Sequence, residues 1–323
     1  MKKIVISLMA LALAVCTAAA GDFVRPDFLK EGDKVAIISP SYYLEEAQIE
    51  RACEVLRGWG LVPVRGANVG RNVGFVLAGT VDERKADLKW AFESPDIKAV
   101  FCTRGGYGAV QLLDSATVAC CAAHPKWFIG FSDATILISA LSTGGVMSVH
   151  GNMCNDICLS DTKPMPDNDA LKDLLFGKLP EYKLPAHECN RTGTAVGRLV
   201  GGNMITFQML SGTPYDSSVL DGTILFIEEV GESLKSIDRM INAMMLQKKF
   251  SGVRGIILGR FSDTNSNYPA QSAERIISDY AAALGIPVCC GFPAGHSGIN
   301  MPLVMGDTVR LDVTSEGASV RFE

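Results

Sequence analysis

Residues 127–135 combine an apolar run with a turn of small residues around a serine. Trp127 to Ile129 is strongly hydrophobic, and Gly130-Phe131-Ser132-Asp133-Ala134 follows it before a helix-like stretch. A Gly-x-Ser-x-small sequence between a strand and a helix is typical of a nucleophile elbow, which exposes the serine hydroxyl. Its backbone N–H groups could also stabilise an oxyanion. A simple helix cap would use the same residue types, so this segment alone leaves both interpretations open.

A serine nucleophile needs a general base. The sequence contains four histidines: His124, His150, His187 and His296. His296 lies in a loop of small residues and His150 ends a strand-like run, so these two are the candidates. Glu228 and Glu229 follow an apolar run, where a carboxylate could orient an imidazole. The chain order Ser132, Glu228, His296 is that of hydrolases with an elbow.

Thr103 to Gly108 form a glycine-rich turn after another apolar run. The spacing matches neither a dinucleotide fingerprint nor a phosphate-binding P-loop. Its glycines would let a ligand approach the backbone, so that N–H groups face a carboxylate or an oxyanion. On its own, such a turn is more often without function.

Metal binding is the weaker interpretation of the cysteines and histidines. His150, Cys154 and Cys158 have ligand-like spacing, but no fourth ligand is evident. Most of the ten cysteines fall in apolar runs and are predicted to be small core residues. The adjacent pairs at 120–121 and 289–290 cannot form disulfides without strain.

Apolar strand-like runs alternate with helical patterns, which predicts an α/β fold. Predicted strands cover 34–38, 61–64, 99–102, 127–130, 146–149, 222–228, 255–259, 287–290 and 309–313. Predicted helices cover 45–58, 170–176, 234–246 and 272–284, with one more from Thr80 to about Phe92 and one from residue 136. Proline-rich, polar segments at 159–169 and 178–190 predict a linker at 158–186. It would join an N-terminal domain (22–157) to a C-terminal domain (187–323).

The first 20 residues have the pattern of a secretory signal peptide: Lys2-Lys3, an apolar stretch, then three alanines before Gly21. The apolar stretch is shorter than the ~20 residues of a membrane-spanning helix. An exported, periplasmic protein that is not integral to the membrane is therefore expected. Lipidation at Cys16 is less favoured, because valine precedes it. The net charge of −5 over 323 residues gives no basic surface for nucleic acid.

Taken together, these segments resemble the LD-carboxypeptidase family of serine peptidases. The matching motifs occur in order along almost the whole chain after the signal peptide. They are 35–41 (VAIISPS), 78–80 with Glu83-Arg84, 104–108 (RGGYG), 130–135 (GFSDAT), His150-Gly151, 199–203 (LVGGN), 225–228 (LFIE), 237–239 and 295–300.

The resemblance implies a doubly wound, flavodoxin-like N-terminal domain and a smaller, β-rich C-terminal α/β domain of the swivelling type. It implies a triad across the domain interface, with Ser132 as nucleophile, His296 as base and Glu228 as the acid. The N–H groups of Gly106 and Asp133 would form the oxyanion hole. No metal or cofactor is implied.

The motifs indicate the substrate-binding residues less clearly than the catalytic residues. Arg104, Gly105 and Tyr107 are the candidates for substrate binding, with Arg104 facing a free carboxylate. Family members release a terminal D-amino acid, typically D-alanine, from murein tetrapeptides, so the expected partner is a murein peptide. Two alternatives stay open: a microcin-immunity-like peptidase that cuts peptidyl-nucleotide amides, and an inactive protein that only binds murein peptides. A homodimer also stays open.

Overall fold

The computed structural model describes residues 23–74, 76–159, 165–264 and 271–323. The predicted signal peptide lies outside these ranges. Within them, no helix is both long enough and apolar enough to cross a bilayer.

The described elements alternate between strands and helices. The strands are β1 (Lys34–Ile38), β2 (Val62–Arg65), β3 (Ile97–Cys102), β4 (Trp127–Gly130), β5 (Ser148–His150), β6 (Glu181–Pro185), β7 (Gly193–Asn203), β8 (Thr223–Val230), β9 (Val253–Ser262), β10 (Val288–Cys289), β11 (Leu303–Met305), β12 (Thr308–Val313) and β13 (Gly317–Phe322). The helices are α1 (Glu46–Gly58), α2 (Val81–Glu93), α3 (Ser115–Ala123), α4 (Thr135–Thr143), α5 (Cys154–Ile157), α6 (Pro166–Leu175), α7 (Met204–Gln208), α8 (Leu234–Leu246) and α9 (Ala273–Ala282).

The first sheet has the strand order β11-β5-β4-β3-β1-β2. Strands β1 to β5 are parallel, and their order is that of a doubly wound, flavodoxin-like sheet. β3, β4 and β5 are almost entirely buried, as expected of parallel strands with both faces covered. The carboxyl ends of β1, β3 and β4 meet at one edge, where Thr103 Oγ1 donates to Ser39 Oγ over 2.9 Å. The loops predicted to carry chemistry therefore converge there.

The second sheet has the order β10-β9-β8-β7-β12-β13-β6. β7 to β10 are parallel, whereas β12, β13 and β6 add antiparallel pairs. The mixed α/β fold with two sheets agrees with the expected fold class. The second sheet has seven strands and the first has six.

The start of α2 has the capping residues that the sequence predicts. Thr80 caps α2 by accepting from the N–H of Glu83, and the Glu83 side chain accepts in return from the N–H of Thr80. Both contacts satisfy N–H groups that the first helical turn leaves unpaired. The predicted start of this helix is confirmed.

Four strands were not predicted from the sequence: β6, β7, β11 and β13. β7 was not predicted because it contains four glycines, which weaken any strand pattern. One of them, Gly201, has φ +119°, and a Cβ there would overlap the carbonyl of Phe226 on β8. β6 lies within the predicted linker yet pairs with β13. β11 lies between β10 and β12 of the C-terminal sheet in sequence but pairs with β5 of the first sheet, so the two halves interlock.

Candidate active site

Ser132 occupies a strained turn between β4 and α4. Its φ is +59°, in the left-handed region that non-glycine residues seldom adopt. The turn is too tight for a side chain at Gly130, where a Cβ would lie 2.7 Å from Ala134 Cβ. Gly105 is equally constrained, because a Cβ there would lie 2.9 Å from Ser132 Cβ and 3.0 Å from Ser132 Oγ. The glycine-rich loop after β3 is thus packed directly on the serine hydroxyl.

Ser132, His296 and Glu228 form a continuous hydrogen-bonded series. Ser132 Oγ lies 3.0 Å from His296 Nε2, and His296 Nδ1 lies 2.7 Å from Glu228 Oε2. A carboxylate can only accept, so Nδ1 carries the proton in this arrangement. Nε2 is then free to accept from the serine hydroxyl. The structure brings these three side chains together, although Ser132 and His296 are 164 residues apart in the sequence.

Burial and charge act in opposite directions on His296. Burial alone would lower its pKa, but the hydrogen bond and negative charge of Glu228 raise that pKa above the ordinary value of 6.5. The Glu228 side chain is fully buried, while that of His296 is 19% exposed. Gly295 and Gly259 give the acid its space, since a Cβ at either would lie within 3.0 Å of Glu228. The imidazole of His296 is therefore accessible to solvent, whereas the carboxylate that it contacts is fully buried.

His150, the rival base, has a different environment. It is fully buried, and Nε2 contacts Asn300 Oδ1 over 3.1 Å rather than a carboxylate. Burial lowers its pKa to about 4. Its ring packs edge-on against Phe131 and Phe226. These contacts are those of a core histidine that stays neutral.

Two buried charges brace the turn around the serine. Asp133 Oδ2 accepts from Ser41 Oγ over 2.5 Å and from the N–H of Ala109 over 2.8 Å, which ties three loops together. Arg84, on α2, donates to the carbonyls of Pro40 and Gly108 over 2.6 and 2.9 Å. The side chain of Asp133 is thereby engaged, and its main chain remains beside Ser132.

Contacts from the C-terminal half also reach the elbow. Thr206 Oγ1 lies 3.4 Å from the carbonyl oxygen of Ser132, and the N–H of Asn203 donates to Thr135 Oγ1 over 3.0 Å. Glu229 accepts from Asn203 Nδ2 over 3.0 Å and from the N–H of Ile205 over 2.8 Å. Glu229 thus holds the start of α7, whereas Glu228 faces His296. The two adjacent acids lie at a register shift in the β8–β9 pairing.

A cleft of about 360 Å³ opens beside Ser132 and His296. Arg104, Gly105 and Gly106 line it, which places three of the predicted loop residues at the cleft. The fourth, Tyr107, does not line the cleft; its side chain is 46% exposed, and its hydroxyl accepts a hydrogen bond from Gln111.

The cleft also contains side chains that sequence reasoning missed: Asn152, Asn155, Asp156, Asp167 and Asn300. Asn300 Oδ1 accepts from the N–H of Gly295 over 3.0 Å, and the N–H of Asn300 donates to Asp167 Oδ2 over 2.9 Å. These bonds fix the loop that carries His296. Asn300 belongs to the matching motif at 295–300, but Asp156 just precedes the predicted linker and Asp167 lies within it, and neither belongs to a motif.

In the part of the chain that the structure describes, neither the cysteines nor the set of His150, Cys154 and Cys158 is arranged as a metal site. Within the described residues, no group of three or more His, Cys, Asp or Glu side chains is placed to hold one metal ion. Burial raises the pKa of the thiols of Cys102, Cys154 and Cys290, which keeps them protonated. The buried cysteines are Cys53, Cys102, Cys121, Cys154, Cys158, Cys189, Cys289 and Cys290. They pack as small core residues, as predicted.

Family models match both halves of the chain. The LD-carboxypeptidase N-terminal domain matches residues 35–151, and the LD-carboxypeptidase C-terminal domain matches residues 196–311. The first match contains the elbow and the second contains Glu228.

Individual relatives extend over nearly the same length. The murein tetrapeptide carboxypeptidase of Pseudomonas aeruginosa is 33% identical over 290 residues, covering 86% of this chain and 93% of the relative. The microcin C7 self-immunity protein MccF of Escherichia coli is 25% identical, covering 90% of this chain and 94% of that protein. Among solved structures, the muramoyltetrapeptide carboxypeptidase of Oxalobacter formigenes superposes with a TM-score of 0.81 at 27% identity, covering 90% and 98% of the two chains. The chain therefore belongs to the LD-carboxypeptidase family.

Proposed function

We propose that this protein is a serine-type LD-carboxypeptidase that releases the terminal D-alanine of murein tetrapeptides. The observation that carries the proposal is the hydrogen-bonded series Ser132–His296–Glu228 at the edge of an open cleft. Its relatives named as murein tetrapeptide carboxypeptidases support the substrate class.

Acylation follows from this geometry. The Ser132 hydroxyl attacks the carbonyl carbon of the last peptide bond while its proton passes to His296 Nε2. Glu228 stabilises the imidazolium and holds the ring so that Nε2 faces the serine. The loop after β3 lies against Ser132 Oγ, so the N–H groups of Gly106 and Asp133 are our candidates for binding the oxyanion. Each such donor contributes roughly 3–4 kcal/mol in comparable sites.

The intermediate then collapses and the C–N bond breaks. The imidazolium returns its proton to the nitrogen of the leaving D-alanine, leaving the shortened peptide as an ester on Ser132. A water molecule, deprotonated by His296, hydrolyses that ester. Arg104, which lines the cleft, is our candidate for holding the free carboxylate of the D-alanine.

D-Alanine release tests the proposal directly. A tetrapeptide ending in D-alanine is incubated with wild type, with Ser132→Ala and with Ser315→Ala, an exposed serine in the β12–β13 turn. Rapid release by wild type and Ser315→Ala, with a loss on the order of 10⁶-fold in Ser132→Ala, is expected. Unchanged release by Ser132→Ala would refute the serine mechanism. Cleavage of a peptidyl-nucleotide amide without D-alanine release would instead favour the microcin-immunity activity.

Export is the second part of the proposal. The basic, apolar and small-residue segments of residues 1–20 support cleavage before Gly21 and a periplasmic location. The test expresses the full chain in a bacterium with two membranes and determines the N-terminus of the protein recovered from the periplasm. An intact N-terminus in the cytoplasmic fraction would contradict it.

A further inference from the structure

Asp156 is a carboxylate in the catalytic cleft that the triad chemistry does not use. It lines the cleft together with Ser132, His296 and Arg104. It belongs to α5, the short helix after β5, which is fixed at one end by a hydrogen bond from the N–H of Asn155 to the carbonyl of Thr103 over 2.9 Å. The neighbouring Cys154 is fully buried. The carboxylate therefore projects from a well-anchored backbone.

Asp156 has an unused oxygen, unlike the other acid in the cleft. Within the described residues its side chain receives one hydrogen bond, from the N–H of Met153 to Oδ2 over 3.2 Å. Oδ1 of Asp156 receives no hydrogen bond from the described residues, and this atom is not fully buried. Asp167, by contrast, accepts at Oδ2 from Asn152 and from the main chain of Asn300, and at Oδ1 from the N–H of Asn168. Of these two acids, Asp156 is the one with an oxygen left for a ligand.

Burial outweighs the nearby positive charges in the electrostatic setting of Asp156. Burial raises its pKa to about 6, and the charge of Asp167 acts in the same direction. The hydrogen bond from Met153 and the positive charges of His296 and Arg104 lower that pKa without cancelling the effect of burial. A cation arriving in the cleft would relieve the cost of keeping this group ionised.

We propose that Asp156 binds an ammonium group on the side chain of the residue just before the cleaved bond, and so selects peptides with a diamino acid at that position. This inference rests on the proposed function. The leaving D-alanine has no ammonium, because its nitrogen belongs to the scissile amide. An ammonium in the cleft must therefore belong to the acyl part. Asp156 lines the same cleft as Ser132 and His296, which places it near the reacting bond.

The test uses two N-acetylated tetrapeptides that end in D-alanine and differ only at the third residue. One carries L-lysine and the other L-norleucine, which has the same chain without the nitrogen; acetylation makes lysine the sole source of an ammonium. The value of kcat/KM for D-alanine release is measured for wild type, Asp156→Asn and Asp173→Asn. Asp173 is a control acid on α6 that pairs with exposed Lys178.

Wild type and Asp173→Asn are expected to prefer the lysine peptide by about 10- to 100-fold, the usual value of a hydrogen bond to a charged group. Asp156→Asn should lose this preference because its kcat/KM falls for the lysine peptide and stays unchanged for the norleucine peptide. Its amide oxygen can still accept from Met153, and its rate on the norleucine peptide reports intact folding.

Three results would overturn the inference, each in a distinct way. Equal losses on both peptides in Asp156→Asn would make the residue structural. No preference in wild type would mean that the cleft does not recognise an ammonium. No D-alanine from either peptide with wild type would refute the proposed function, and this inference with it.

Discussion

His150 and His296 both contact the ring of Phe131, with centroid distances of 5.7 and 5.0 Å, yet their surroundings differ in every other respect. His150 is sealed, bound to an amide oxygen, and has a pKa lowered to about 4. His296 is partly exposed, bound to Glu228, and has a pKa above its ordinary value. The comparison shows that a carboxylate partner, access to the cleft and a contact with Ser132 Oγ distinguish the proposed base from a core histidine.

Removing each histidine should give the largest contrast. His296→Ala is expected to lower kcat for D-alanine release on the order of 10⁶-fold, because the serine loses its base. His150→Gln, which can still donate to Asn300 Oδ1, should stay within about tenfold of wild type. Steady-state kinetics on purified, folded variants measures both. A greater loss in His150→Gln than in His296→Ala would reverse the assignment of the base.

Glu228 is the group that makes the two histidines differ, so its neutral variant should make His296 behave more like His150. Glu228→Gln is expected to lower kcat about 10⁴-fold, because the imidazolium loses its stabilising charge and its preferred tautomer. Glu229→Gln is the matched control. Its side chain holds α7 rather than His296, so a much smaller loss is expected.

The same variant should move the pH profile in a defined direction. His296 must be neutral to accept a proton, and Glu228 raises its pKa, so the acid limb of kcat/KM in wild type should lie above pH 6.5. Without the negative charge that pKa falls, and the acid limb should shift to lower pH in Glu228→Gln. Glu229→Gln retains Glu228 and should shift less. An acid limb that stays in place in Glu228→Gln would mean that another group controls it.

The residues that were predicted from the sequence lie in short contiguous motifs, whereas those that were missed depend on contacts between distant segments. Ser132 was predictable because strand, turn and helix follow one another within nine residues. Choosing Glu228 over Glu229 needed the family resemblance, since the register shift that separates their partners is invisible in sequence. Asp156 was missed because its position in the cleft depends on tertiary contacts. β7 was missed because its glycines, which permit close strand approach, also remove the side-chain pattern that predicts a strand.

The pH dependence of stability should show the effect of burying neutral His150. The pKa of His150 is lowered from 6.5 to about 4 in the fold, so protonation favours the unfolded chain. The contribution of neutral, buried His150 is complete above pH 6.5 and is lost as the pH falls towards 4. The change amounts to about 3 kcal/mol of unfolding free energy. Denaturant melts of wild type and His150→Gln between pH 7 and pH 4 measure it. The variant, which has no proton to gain at this position, should lose less stability over that interval. Parallel curves for the two proteins would show that His150 is not held neutral by burial, and the contrast with His296 would then rest on the catalytic measurements alone.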